Sequence, residues 1–515
     1  MRFLIRTDGD LKIGGGHVMR CLTLAAEARR RGHGVTFVTA GTPGTMAGRI
    51  RSEGFDVTEV TPVPHDPAAD PMAPAHAGWL AAPWQTDAEI TARAAQAFGA
   101  DWVVVDHYGL DARWAGRLRQ ARPDLRILAL DDLDDRPLGA DLVLDQTRLD
   151  GARRYPGPAQ MIGPDFALLR PEFASAREGA LQRRGGPVKR VLIAPGMGDA
   201  AGLAPLALDA LAGFPDLAID VVMGSASQSR AEVEARVAGR QGAALHLDAT
   251  DMAGLMTAAD LCVGAGGMTS WERCCLGLPT VAVAVADNQQ PALAGLAGAG
   301  AVIALDLETA RNGALEPAIA RAIAEASTLS SAASRLCDGA GAVRVTDALE
   351  GAFRPVTKGD ARLLFDWRNR PDIRAVSLNT GELVWDDHVN WLERALARAD
   401  ALFLIWSEGG RDLGHASARD LGGGTWQWSF YIGAEDAPKG AGGRMMASFA
   451  RTLFARPGVD ALRAEVVADN PASAALHRRL GFRETGRDGG ALVFTLTRCD
   501  HEALLGLGNE GQRDG

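Results

Sequence analysis

Three glycine-rich segments stand where an apolar run gives way to a helical pattern: Gly14-Gly15-Gly16, Gly264-Ala265-Gly266-Gly267 and Gly440-Ala441-Gly442-Gly443. Glycine lets the backbone approach a ligand closely, and the first amides of a helix lack partners, so each segment suits an anion such as a phosphate. His17 directly follows the first segment. At the first turn of a helix the positive end of the dipole disfavours the imidazolium, so the ring is expected to stay neutral near pH 7 and able to accept a proton. A capping or packing histidine is the alternative at that position. The second segment runs on into Met268-Thr269-Ser270-Trp271-Glu272, a hydroxyl pair at a helix start with a carboxylate one turn in. That arrangement suits a diphosphate and the two hydroxyls of a ribose, although Thr269-x-x-Glu272 equally fits a capping box. Asp287-Asn288-Gln289-Gln290, directly after an apolar run, is either a loop or the edge of a sugar pocket.

Other chemistry is less well supported. The dinucleotide fingerprint is incomplete, because its third glycine falls on Met19 and no acidic residue ends the second strand; a phosphate-loop lysine motif is also missing. The acidic cluster Asp131-Asp132-Leu133-Asp134-Asp135 reads as a solvated turn as readily as a cation site, and no metal is expected to be required. Near the C-terminus, Tyr431-Ile432 closes an apolar strand before the third glycine segment, which opens with Lys439. A later strand leads through Asp469-Asn470-Pro471 to a short helix holding His477 and then to Leu480-Gly481-Phe482. Asn470 before a proline would also make a simple turn, and His477 would also serve as an ordinary helix-surface residue.

The elements that must carry these residues alternate. Strands are expected at 3–6, 35–38, 102–106, 126–130 and 142–145, with a helix over 17–31, and then at 191–194, 219–222, 261–264 and 280–284. Their near-continuous apolar character marks strands buried on both faces of parallel sheets, with ligands beyond the carboxyl ends. The segment 61–83, rich in proline and alanine, reads as a long surface excursion. A third unit has helices over 361–369 and 388–399 and strands over 402–406, 414–419, 424–432 and 462–467. The expected division is therefore a first lobe over 1–150 carrying His17, a linker over 151–185, a nucleotide-binding lobe over 186–350, a third domain over 354–498 and a polar, disordered tail within 499–515.

Bulk properties agree. At roughly 150 residues per domain the chain should hold about three units. A content of 47% hydrophobic and 23% charged residues is that of packed globular protein. The net charge of −10, with acids and bases interspersed, offers no basic stripe for nucleic acid. The six cysteines form no C-x-x-C pair, which disfavours disulfides and structural zinc and fits a reducing compartment. The most apolar stretch, 278–305, is broken by Asp287 to Pro291, so a soluble cytoplasmic protein without membrane partners is expected.

Four motifs together are specific: Ile5-Arg6-Thr7-Asp8, Ile13-Gly14-Gly15-Gly16-His17-Val18-Met19-Arg20-Cys21-Leu22, Gly266-Gly267-Met268-Thr269-Ser270-Trp271-Glu272 and Ala286-Asp287-Asn288-Gln289. Over about residues 1–335 the chain resembles the UDP-sugar hydrolases of pseudaminic acid biosynthesis. The resemblance implies two Rossmann-like lobes in a glycosyltransferase B arrangement, related to MurG-type transferases. It implies His17 as the base that activates water. It also implies that Asp8, Gly15, Gly16, Arg20, Gly266, Gly267, Met268, Thr269, Glu272, Asn288 and Gln289 surround a UDP-linked amino sugar. One departure is Ala194-Pro195-Gly196-Met197-Gly198-Asp199, where the family has a glycine pair.

Residues 354–498 resemble a GNAT acetyltransferase, including Arg354-Pro355 and Trp367-Arg368-Asn369. This implies acetyl-CoA as co-substrate, its pyrophosphate on Lys439, Gly440, Gly442 and Gly443, its pantetheine arm along the strand ending at Tyr431-Ile432, and Asn470 as a further contact. His477 stands where a tyrosine often protonates the CoA thiolate, and Arg444 replaces the last small residue of the loop. Jointly, the resemblances imply a bifunctional enzyme that N-acetylates the 4-amino group of a UDP-4-amino-4,6-dideoxy sugar and hydrolyses the diacetamido product at C1. A MurG-type glycosyltransferase with an accessory acetyltransferase, and a catalytically idle nucleotide-sugar-binding module, are the rival readings.

Overall fold

A computed structural model describes residues 1–10, 12–150 and 154–504, with the side chain of Asn288 left aside. The expected disordered tail at 508–515 lies outside the described residues. The chain divides into two compact units, Met1–Thr346 and Asp347–Gly515.

The first unit contains two doubly wound α/β lobes. The first lobe has strands β1 (Arg2–Thr7), β2 (Gly34–Ala40), β3 (Asp56–Val60), β4 (Trp102–Asp106), β5 (Arg126–Leu130), β6 (Leu142–Asp145) and β7 (Ala159–Ile162). They form one parallel sheet in the order β3-β2-β1-β4-β5-β6-β7, so the order reverses at β1 and β4. β4 is buried along its whole length, as its run of valines requires of a strand covered on both faces. Helix α1 (Gly16–Arg30) follows β1 and lays Val18, Cys21, Leu22 and Ala25 against the sheet at helical spacing. Helix α2 (Trp84–Phe98) buries Ala88, Ala92 and Ala95 the same way.

The second lobe repeats the plan with β8 (Arg190–Ala194), β9 (Ala218–Met223), β10 (Ala243–Leu247), β11 (Leu261–Ala265), β12 (Thr280–Ala284) and β13 (Ile303–Asp306), in the order β10-β9-β8-β11-β12-β13. The expected linker over 151–185 is largely structured. β7 is the last strand of the first sheet, and helix α3 (Pro171–Arg183) packs Phe173 and Ala180 into the core of the second lobe. The first lobe thus runs past residue 150. Helix α4 (Thr269–Cys275) follows β11.

The second unit is a seven-stranded sheet of β14 (Ala352–Pro355), β15 (Ala401–Glu408), β16 (Arg411–Asp420), β17 (Thr425–Ile432), β18 (Ala461–Val467), β19 (Arg483–Asp488) and β20 (Ala491–Thr497), ordered β14-β15-β16-β17-β18-β20-β19. β17 and β18 form the parallel pair, and their register runs only from Thr425↔Ala461 to Trp428↔Ala464. Beyond that point the strands part. Helices α5 (Ala361–Asn369), α6 (Pro371–Ala375) and α7 (Trp385–Leu396) precede β15, while α8 (Ala441–Phe454) and α9 (Pro471–Arg479) follow β17 and β18. Among the described residues no helix is long and apolar enough to cross a membrane.

Candidate active sites

In the first unit the glycine segment turns through Gly14 at φ 83°, a left-handed conformation that glycine adopts freely, and Gly15 caps α1. His17 is thereby the second residue of the helix, beyond the carboxyl end of β1. It lines a cleft of about 200 Å³ that brings together Gly16, His17 and Arg20 of the first lobe with Gly266, Gly267, Met268 and Gln289 of the second. His17 Nδ1 lies 2.6 Å from an oxygen of Asp106, the fully buried last residue of β4. Arg20, one turn further along α1, donates Nε and Nη2 to the same carboxylate, each at 2.6 Å. Burial alone would raise the Asp106 pKa, but the charge of Arg20, with the hydrogen bonds from Arg20 and His17, overcomes it and holds the carboxyl below the ordinary range. A permanently ionised Asp106 accepts hydrogen bonds only. A neutral His17 must therefore carry its hydrogen on Nδ1, which leaves the Nε2 lone pair available.

The wall around His17 is aromatic. Tyr108 stands edge-on at 4.7 Å between ring centres and Trp79 at 6.1 Å, and the Tyr108 hydroxyl donates to Asp132 at 2.5 Å. Sequence reasoning missed Asp106, Tyr108 and Trp79. An acidic residue ending a run of three valines, followed by His107-Tyr108, was the available signal for the first two. Trp79 belongs to the expected surface excursion over 61–83, which in fact supplies part of the cleft wall.

Other expected contacts lie elsewhere. Asp8 is 1% exposed and does not line the cleft: its carboxylate takes both terminal nitrogens of Arg6, the Ala40 amide at 2.7 Å and the Thr39 hydroxyl at 3.2 Å. It belongs to a buried network in which Arg6 also pairs with Asp87, and Trp114 donates to Asp87 at 2.8 Å. Asp8 is thus placed as a structural charge. Gly15 and Thr269 border the cleft loops without lining it. No side chain caps α4, so the Thr269–Glu272 capping box is absent. Glu272 instead faces Arg170 at 3.4 Å, and burial raises its pKa. Gln289 lines the cleft and accepts the Val285 amide at 3.0 Å. Asn288 sits in a short 3-10 turn, and its side chain lies outside the described residues. The cluster at 131–135 is tied to its surroundings: Asp131 to Arg136 and Tyr155, Asp134 to Arg154, and Asp135 to Arg136.

In the second unit, Gly440 caps α8 at φ 85°, again left-handed. Gly442 and Gly443 lie in ordinary helical conformation. An added Cβ would meet only Ile432 at 3.6 Å and Leu476 at 3.7 Å, so the fold itself does not demand glycine there, and the bare helix start forms a cradle that side chains would fill. Lys439 is exposed beside it. Arg444 binds the buried Glu408 through Nε and Nη2 at 3.0 and 2.8 Å, while its Nη1 donates back to the Lys439 carbonyl at 3.2 Å, beside Gly440. Asn470 caps α9 by accepting the Ser473 amide at 3.0 Å. Tyr431 and Ile432 end β17 on the stretch that β18 leaves unpaired.

The acid role expected of His477 is corrected by its placement. The ring is 1% exposed, its Nδ1 lies 2.8 Å from the Ser473 carbonyl, and the Trp428 indole N–H reaches Nε2 at 3.3 Å. Phe494 stacks on it at 5.3 Å. Both nitrogens are engaged, and burial lowers its pKa, so this is a neutral packing histidine without access to a thiolate.

Residues 352–483 match the model of the acetyltransferase (GNAT) domain, and the second unit carries such a domain. The spore coat polysaccharide biosynthesis protein SpsG of Bacillus subtilis is 30% identical over 198 residues, 37% of this chain. The chain spans 58% of the length of that protein. An uncharacterised protein of Methanocaldococcus jannaschii is 22% identical over 512 residues, 94% of this chain and 97% of that protein. Among solved structures, MurG of Acinetobacter baumannii is 17% identical, covering 67% of this chain and 98% of that one with a TM-score of 0.49.

Proposed function

We propose that the chain is a bifunctional nucleotide-sugar enzyme of nonulosonic acid biosynthesis, of the pseudaminic type. Its second unit transfers an acetyl group from acetyl-CoA to the 4-amino group of a UDP-4-amino-4,6-dideoxy sugar. Its first unit cleaves the UDP-2,4-diacetamido-2,4,6-trideoxy product to UDP and free sugar. The observation that carries the reading is the pairing of His17 with Asp106 in a cleft shared by two glycine loops. With Nδ1–H bound to Asp106, Nε2 takes a proton from water as the water oxygen bonds to the anomeric carbon. The C1–O bond breaks with its electron pair going to the departing diphosphate, and attack opposite the leaving group inverts the centre. Arg20 already balances the Asp106 charge, so Asp106 acts by orienting the ring and fixing its tautomer. The start of α1 and the Gly266-Gly267 loop are suited to the diphosphate.

In the second unit the start of α8, with Gly440, Gly442, Gly443 and Lys439, would hold the pyrophosphate of acetyl-CoA. The unpaired end of β17 would carry the pantetheine arm, and Asn470 would serve by capping the neighbouring helix. Purified protein given acetyl-CoA and a panel of UDP-4-amino sugars tests both halves when CoA, UDP and free sugar are followed by mass. Release of all three is expected without any added acceptor. UDP release that depends strictly on an acceptor hydroxyl would make the first unit a glycosyltransferase instead.

A further inference from the structure

Among the described residues, the acetyltransferase unit keeps several buried polar atoms without hydrogen-bond partners in and beside the helices before β15. Arg368 on α5 gives Nη2 to the Asn379 carbonyl at 2.6 Å, while its Nη1 is buried with no hydrogen-bond partner. Arg374 on α6 reaches Glu382 only at 3.6 Å, a carboxylate 75% exposed, and its Nε is likewise buried and unpartnered. Burial, with the neighbouring charge of Arg374, lowers the Arg368 pKa, so the two guanidiniums feel one another. On β16, His415 is 7% exposed and its Nε2 has no partner. Its ring lies 5.3 Å from that of Tyr431, its cross-strand neighbour, and Tyr431 in turn meets Trp367, the residue before Arg368.

Buried polar groups are almost always paired, and a pair of like charges is less favourable still, so a cluster of this kind is what a ligand completes. An anion with several oxygens satisfies both guanidiniums at once, in the bidentate manner arginine favours. The position also fits. Trp428 and Phe430 of β17 pack with Met446 and Phe449 of α8, whereas Tyr431 packs with Trp367 and Leu392 of the helices before β15. Trp367 and His415, which both meet the Tyr431 ring, therefore lie across the sheet from α8, beside the end of β17 that β18 leaves unpaired, and Arg368 follows Trp367 on α5 with Arg374 on the next helix.

We propose that Arg368 and Arg374 form the subsite holding the diphosphate of the acetyltransferase's acceptor, with His415 and Tyr431 lining the way from there to the acetyl group. This rests on the nucleotide-sugar reading above and adds what selects the acceptor: the site takes an anionic amine and repels polycationic ones.

The test uses the full-length protein and the double variant Arg368→Gln/Arg374→Gln, with CoA release measured for a UDP-4-amino sugar and for the same amino sugar without UDP. Loss of two charge-assisted contacts should raise KM for the UDP-linked acceptor by about 10- to 100-fold with kcat little changed. The free amino sugar should lose less than about threefold, and Arg368→Lys/Arg374→Lys should recover much of the KM. An unchanged KM, or equal losses for both acceptors, overturns the proposal. Independently, calorimetry with inorganic pyrophosphate, at saturating CoA, should count one site fewer in the Gln variant; an unchanged count also overturns it. If the wild type acetylates no UDP-amino sugar but the count still falls, the anion subsite stands and the nucleotide-sugar reading fails. Thermal melts of each variant establish that it is folded.

Discussion

The two units place buried titratable groups differently around their candidate sites. In the first, the carboxylates at the ends of β1 and β4 are paired: Arg6 lies between Asp8 and Asp87, and Asp106 lies between Arg20 and His17. In the second, burial falls on histidines among aromatic rings. His388, His415, His477 and His501 are all shifted down by desolvation, and Arg368 Nη1 and Arg374 Nε have no hydrogen-bond partner among the described residues. A shared carboxylate fixes the orientation of a ring such as His17, whereas unpartnered donors leave a place for an incoming ligand to complete.

The largest expected effect breaks the comparison at His17. His17→Ala should cut UDP release by about a thousandfold, within the range for a positioned general base, and leave acetyl-dependent CoA release unaffected. Equal loss of both activities would show that the residue holds the fold together. Next comes Asp87→Ala, which removes a partner of the fully buried Arg6. Breaking such a pair should destabilise the first unit by about 3–5 kcal/mol in a denaturant titration without moving the acetyl-CoA KM.

The third prediction is pH-dependent. His415 is held down to about 4 from an ordinary 6.5, so the unfolded chain takes up a proton as pH falls through 6.5 and the folded one does so only near 4. Stability of the second unit is therefore lost progressively over that window, by at most about 3 kcal/mol from this group. Asp8 and Asp106 are shifted below the ordinary carboxylate value, so their contribution is present above 3.8 and is lost only below it. Calorimetry at pH 7 and pH 5, with acetyl-CoA added to mark the second unit's transition, should show that transition dropping first. His415→Phe should shrink the difference, leaving what His388, His477 and His501 contribute. The smallest effect is Gly440→Ala: a side chain at φ 85° costs about 1 kcal/mol and should raise the acetyl-CoA KM several-fold.

Much of this was legible in sequence where the pattern was strong. β4, β5, β6 and β12 run exactly over their apolar stretches because parallel strands buried on both faces leave little room for polar residues. β3 reads as Asp-Val-Thr-Glu-Val, and β7 and β13 each bury one position where the equally short β6 buries all four, so edge strands with exposed positions left no run to find. The glycine loops and His17 stood out because glycine before a helix is a local signal. Asp106 was hidden because its partner His17 is 89 residues away, a pairing that only the β1–β4 neighbourhood creates. His477 misled for the converse reason. Its helix position suggested a surface, and only the sheet packing encloses it in Trp428, Phe482 and Phe494.

The Asp106 carboxylate has one more consequence. It is shared by His17 and Arg20, two residues one turn apart on α1, and it ends the strand next to β1. A change at Asp106 would therefore release both side chains at once, and the two would lose their alignment at the mouth of the cleft as a unit rather than one by one.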